Sequence, residues 1–147
     1  MSYDGNEEID WILGPDGIGA LAGGQVFETG VPDGTDLQRY SATDPRLRPY
    51  IVARFATPFA STRGRAAGAG EDEQPHVLSF TIVVYGGVAA DVRRTRAAVQ
   101  RRLVDKRPSP TSGVITSSGG FSYARTETEA RPSRFESGMF GRVFINL

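Results

Sequence analysis

The run His76–Tyr85, HVLSFTIVVY, followed by Gly86 and Gly87 and then by Asp91–Lys106, DVRRTRAAVQRRLVDK, decides the fold class. In the first part Leu78, Phe80, Ile82 and Val84 alternate with Ser79, Thr81, Val83 and Tyr85, which is the period of a β-strand with one apolar face. The opposite face mixes β-branched, aromatic and hydroxyl side chains, so it is either half covered or turned to a partner. The two glycines end the strand, and the period changes to that of a helix. Val92, Val99 and Leu103 form its apolar stripe, widened by Ala89, Thr95 and Ala98. Asp91 suits the positive end of the helix dipole, Lys106 and Arg107 suit the negative end, and Pro108 and Pro110 are expected to stop it. A strand followed at once by an amphipathic helix predicts a helix laid back over a sheet.

Working outward, Pro49–Phe59, PYIVARFATPF, is a second strand. It forms the other arm of a long antiparallel hairpin with His76–Tyr85, joined through Ala60–Pro75. That connection has small residues, glycines and an acidic triplet and no large apolar anchor, so it reads as a long loop at a binding edge. Arg54 turns the Tyr50, Val52, Arg54, Ala56 set toward solvent or a partner. Gln25–Val31 is a candidate first strand, followed by the VPDG turn and a polar surface excursion over Thr35–Arg48. Downstream, a short strand is expected at Val114–Thr116, a turn at Ser117–Gly120, and final strands at Gly120–Thr128 and Met139–Leu147. Glu127, Glu129, Arg131, Arg134 and Glu136 are assigned to the turn between those last two. Residues 1–24 form a weakly patterned segment with a short helix over Glu7–Leu13 and a turn-rich linker after it; residues 25–147 form one domain. The sum is an α+β fold: an antiparallel or mixed sheet, a long hairpin, and a central amphipathic helix on one face.

The 147 residues carry 17 basic and 17 acidic side chains, so the chain is neutral overall. The distribution is uneven. Every charge before Arg39 is acidic, from Asp4 to Asp36, whereas Arg93, Arg94, Arg96, Arg101, Arg102, Lys106 and Arg107 face only Asp91 and Asp105 in the helix region. Solvated polar faces would account for both segments. A second reading is that copies meet through the acidic region of one and the basic region of the next, with Asp33, Asp36, Arg93, Arg94, Arg101 and Arg102 as interface residues. Direct DNA binding is disfavoured, because the basic helix lacks an accompanying recognition motif and the chain as a whole is not basic.

The absence of cysteine removes disulfide and thiol chemistry. No apolar run approaches a membrane span, and the acidic N-terminus has no leader-like apolar stretch. Gly17, Gly19 and Gly23 have no strand before them, which sets aside a dinucleotide fingerprint. His76, the only histidine, has no metal-ligand spacing around it and reads as a loop-end residue. Neither a metal nor a cofactor is expected. The enzyme alternative is a cleft of Tyr50, Arg54 and His76 with nearby acids, His76 being the base.

The order of these segments resembles the tail terminator proteins of long-tailed bacteriophages, the minor tail or neck proteins of phages that infect actinobacteria. The resemblance covers about Gln25–Leu147: the VPDG turn after a first strand, the aromatic-led strand at Pro49–Phe59, the arm at His76–Gly86, the Arg/Ala-rich helix at Asp91–Val104, and paired final strands. It implies a virion protein, assembled in the host cytoplasm, that forms a hexameric ring on the tail tube and ends tube growth. It also implies a surface for head–tail joining, contact with the tube protein and a connector or stopper protein, and passage of DNA through the lumen without sequence preference. Arg63, Arg65, Glu71, Asp72 and Glu73 would then be the tube-contacting loop. A head-side connector and a tail tube subunit are the alternatives within the same class.

Overall fold

The computed structural model describes residues 4–60, 76–120, 125–127 and 134–145. Two helices and a mixed sheet make an α+β fold. Helix α1 is Asn6–Leu13 and α2 is Ala89–Leu103; the strands are β1 (Val26–Glu28), β2 (Tyr50–Phe55), β3 (Phe59–Ala60), β4 (His76–Gly86), β5 (Thr116–Gly120), β6 (Arg125–Glu127) and β7 (Arg134–Ile145). The sheet runs β1-β2-β4-β7-β5, with β3 continuing the β2 side of β4 and β6 pairing with β7. Among the described strands only β1 and β2 are parallel; their other pairings are antiparallel. Tyr50 lies opposite Tyr85 and Phe55 opposite Phe80, and the pairing resumes at Phe59 with Val77. Pro58 stands in the interruption, where its missing N–H costs no ladder bond.

The helix-covered face holds the main core. Leu78, Phe80, Ile82 and Val84 of β4 meet Val92, Val99 and Leu103 of α2, with Met139, Val143 and Ile145 of β7 beside them. The register places Phe80 opposite Gly141, and a Cβ at Gly141 would run into the Phe80 ring. Glycine there makes room for an aromatic side chain in the middle of the sheet.

Several segments depart from the sequence reading. The linker expected after α1 is folded into the core: Ile18 is fully buried with Ile12, and a Cβ at Gly17 would strike the Ile12 carbonyl oxygen. Helix α2 ends at Leu103, before Lys106, Arg107 and the prolines. Asp105 takes a positive φ of 67°, and Ile115 pins the exit by accepting from the Asp105 N–H and donating to the Lys106 carbonyl. Ser117–Gly120, expected as a turn, pairs with β7 as a strand, with a bulge between Ser117 and Gly119 and a positive φ at Gly119. Arg134 and Glu136, assigned to a turn, lie in β7 opposite the Tyr85–Gly86 end of β4. In both places partner strands supply backbone hydrogen bonds that outweigh local turn preference. His76 is the first residue of β4, where it is buried and pairs with Ile145 and Ala60.

Candidate interaction surface

The second face of the sheet is divided. At its Tyr50 end, Tyr50 and Val52 are buried with Leu47, against Phe27, Val31, Leu37 and Tyr85. The rings of Tyr50 and Tyr85 stack with centroids 5.2 Å apart, and the Tyr50 hydroxyl accepts from Arg134 at 3.1 Å. Covered by the excursion before β2, these residues do not face solvent as the alternation alone suggests. The excursion itself carries a small two-stranded ladder. Arg39 bridges Leu47, Arg48 N–H donates to the Gln38 carbonyl, and Tyr40 N–H to the Arg46 carbonyl.

One side chain and one close backbone approach hold that ladder in place. The Gln25 side chain accepts from Gln38 N–H at 2.9 Å and donates to the Pro49 carbonyl at 3.1 Å. Gly87 N–H donates to the Leu47 carbonyl, and a Cβ at Gly87 would sit 2.8 Å from Arg46 Cβ. Gly87 thus permits a close approach as well as ending the strand.

An arginine cluster stands on the outer side of the ladder. The Tyr40 hydroxyl donates to Asp91 at the start of α2, and Arg94 pairs with the same carboxylate at 2.6 Å. Arg46 and Arg48 lie 5.8 Å and 5.2 Å from the Tyr40 ring centre, within cation–π range. Arg46 also pairs with Asp44 at 2.8 Å, which holds that carboxyl below the usual carboxylate range and raises the guanidinium. Partial burial, and then the Asp91 carboxylate, push the Tyr40 hydroxyl up to about 12. The phenol therefore stays a donor at any ordinary pH. Arg39 Nη1 donates to the Pro45 carbonyl at 2.7 Å, and Arg48 Nε to the Arg39 carbonyl at 3.3 Å.

Beyond the excursion, no other described segment covers the second face. Arg54, Thr81 and Phe140 stand in one cross-strand row, with Ser79 and Arg142 in the next. Here Phe140 is 41% exposed and Phe59 56% exposed. Arg54, Ser79, Thr81, Ser118 and Phe140 line a shallow depression of about 520 Å³. Arg54 and Arg142 are the charged side chains that the described strands present in this half.

The sequence-expected interface residues fall in different places. Asp33 and Asp36 are exposed on the excursion; Arg93 and Arg94 are on the first turns of α2, and Arg94 pairs with Asp91, the partner of Tyr40. Arg101 and Arg102 are exposed in its last turn, about 12 Å further along the helix. Arg63, Arg65, Glu71, Asp72 and Glu73 lie outside the described residues. The enzyme cleft is not assembled: Tyr50 is opposite Tyr85, and His76 is nine strand positions away, about 30 Å. Arg54 joins the open depression instead.

One interaction had no sequence signal at all. Glu8, on α1, is 4% exposed and accepts from Ser112 at 2.8 Å and Ser109 at 3.4 Å. A carboxylate in an acidic, locally polar stretch reads as a solvated charge, because its hydroxyl partners are about a hundred residues away in sequence. Among the described residues no helix is long and apolar enough to cross a membrane, and no group of three His, Cys, Asp or Glu could hold a metal ion. Compared with known proteins, the chain matches no family model and none of the curated proteins.

Proposed function

We propose that this protein is a structural component of a phage tail, a hexameric ring that caps the tail tube, ends its polymerisation and offers a surface for head–tail joining. The supporting observation is the open half of the sheet. Its strands continue past the excursion, with Phe140 at the edge of a shallow depression that Arg54 also lines and with Phe59 exposed further along the same face. Large aromatic side chains on a sheet face, rimmed by hydroxyls and arginines, suit burial against another protein. The covered half already has its own lid of chain, so the open half is the surface assigned to the tube protein. The segment order, which resembles that of tail terminators, supplies the rest of the reading.

Negative-stain imaging of the full chain, alone and mixed with its tail tube protein, tests the reading. Six-fold rings that cap tubes are expected. Rings that bind only head-side components would move the assignment to a connector, and unlimited stacking of the protein on itself would move it to a tube subunit. A monomer that leaves tubes unchanged would overturn it.

A further inference from the structure

We infer that the Tyr40-centred arginine cluster is the receiving side of a head-to-tail contact between copies, and that its ligand is the carboxylate pair Glu7 and Asp10 on α1 of the next copy. The inference rests on the ring reading and names the lateral contact in it.

The first argument is what remains unpaired. The ion pairs between described residues are both local, Arg46 with Asp44 and Arg94 with Asp91. They neutralise the two aspartates in the cluster and leave Arg39 and Arg48 without a carboxylate. Both guanidinium groups are nevertheless held in place: each gives one nitrogen to a backbone carbonyl, and Arg48 also lies against the Tyr40 ring. Each keeps further N–H groups for a ligand, and a guanidinium fork matches a carboxylate in shape. Such anchoring lowers the side-chain entropy lost on binding, which is what makes most surface ion pairs weak.

The second argument is location. Gly87 fixes the cluster at one end of β4. The first turn of α1 lies at the other end, where a Cβ at Gly5 would touch Pro58 and Leu78, and Glu8 is tied to Ser109 and Ser112 beyond the exit of α2. Leu78 and Gly87 are nine positions apart, about 30 Å along the strand. Opposite charges at opposite ends cannot neutralise each other within one copy. They can do so between copies, and a contact of two different surfaces repeats around a closed ring.

Glu7 and Asp10 are exposed, three residues apart on one helix, and neither is in an ion pair between described residues. Burying Glu8 against the two serines fixes the rotation of α1 and so the direction of its outward charges. Asp33 and Asp36 fit less well as the partner set, since they belong to the same excursion as Arg39 and Arg48. A phosphate backbone is the competing ligand for such a cluster. Overall neutrality, and a matching set of unpaired carboxylates in the same chain, favour a second copy.

Charge exchange tests this with the full-length protein. Arg39→Glu/Arg48→Glu and, separately, Glu7→Arg/Asp10→Arg should each weaken association by about tenfold or more in sedimentation velocity at low salt. An equal mixture of the two variants should recover the ring, because every contact then joins a reversed cluster to a reversed helix, or a native one to a native one, in an even-membered ring. Misfolding cannot produce that recovery. Wild-type rings that persist in both variants, or variants that fail to recover when mixed, overturn the inference and leave the ring reading standing. Fluorescence anisotropy with a short DNA duplex forms the other arm: binding that Arg39→Glu/Arg48→Glu abolishes without changing assembly would give the cluster to phosphate. A wild-type chain that stays monomeric with and without tube protein overturns this contact and the ring together.

Discussion

The two halves of the sheet's second face are built on the same strands and treated in opposite ways. Around Tyr50, Val52 and Tyr85 the chain spends the stretch from Val31 to Pro49 making a lid, pinned by Gln25 and by the close approach at Gly87. Around Arg54, Thr81 and Phe140 the described residues supply no such lid, and a large aromatic side chain stands 41% exposed. The residue types in the strands foreshadow this. Tyr50, Val52, Val83 and Tyr85 can fill a small core, whereas Arg54, Ser79, Thr81 and Arg142 would each need a polar partner if buried. One sheet face thus carries two kinds of surface, because its side-chain chemistry changes partway along the strands; on the proposed reading the second kind is for a partner.

Closing off the close approach should produce the largest effect. Gly87→Ala places a methyl 2.8 Å from Arg46 Cβ and 2.9 Å from Leu47 N, so the lid must shift or the strand end must bend. A loss of about 2–3 kcal/mol in unfolding stability is expected from urea titration, as for other overpacked sites. A variant as stable as wild type would show that the lid is not held there. Truncating the lid's anchor comes next. Leu47 is 3% exposed, and Leu47→Ala should cost about 2 kcal/mol, the low end for a buried leucine because its small cluster lies near the surface and can partly collapse.

Tyr40→Phe should be milder and should depend on pH. The hydroxyl titrates at about 12 in the fold, above the ordinary tyrosine value of about 10. The folded state therefore holds this proton more tightly than the unfolded chain does. Its stabilising contribution is full below about pH 10 and is lost as pH rises through about 12. Since Tyr40 is only partly buried, solvent screening keeps the effect to about 1 kcal/mol or less. The difference in urea midpoint between wild type and Tyr40→Phe should shrink across that window; no difference at any pH would place the stabilisation in the ring, which Tyr40→Phe keeps, and not in the hydroxyl proton.

Phe59→Ser, in the open half, should change unfolding stability least, by about 0.5 kcal/mol, as expected for a side chain 56% exposed. Its effect should appear in function, as reduced capping of tail tubes in negative stain. A large stability loss without a capping defect would mean that the open half serves the protomer after all.

Much of the frame was legible from local pattern alone. The alternation of Leu78, Phe80, Ile82 and Val84, the stripe of Val92, Val99 and Leu103, and the alternation from Met139 to Ile145 all match the observed burial. Each repeats the geometry of its own element, so no distant partner is needed to read it. The arginine cluster was only half legible. Arg94 stands out in a basic helix, but Arg46 and Arg48 gather beside it only because Tyr40 reaches Asp91 across 51 residues.

By itself, then, the sequence determined which segments alternate, which stripe faces the sheet, and that acidic and basic charges are separated along the chain. Tertiary structure decided what covers what: that the excursion folds back over Tyr50 and Val52, that Glu8 is buried under two serines, and that Ser117–Gly120 becomes a strand. The physical reason is range. Periodicity is set by the backbone over a few residues, whereas a lid, a buried carboxylate and an edge strand owe their stability to groups supplied from far along the chain, which no local pattern contains.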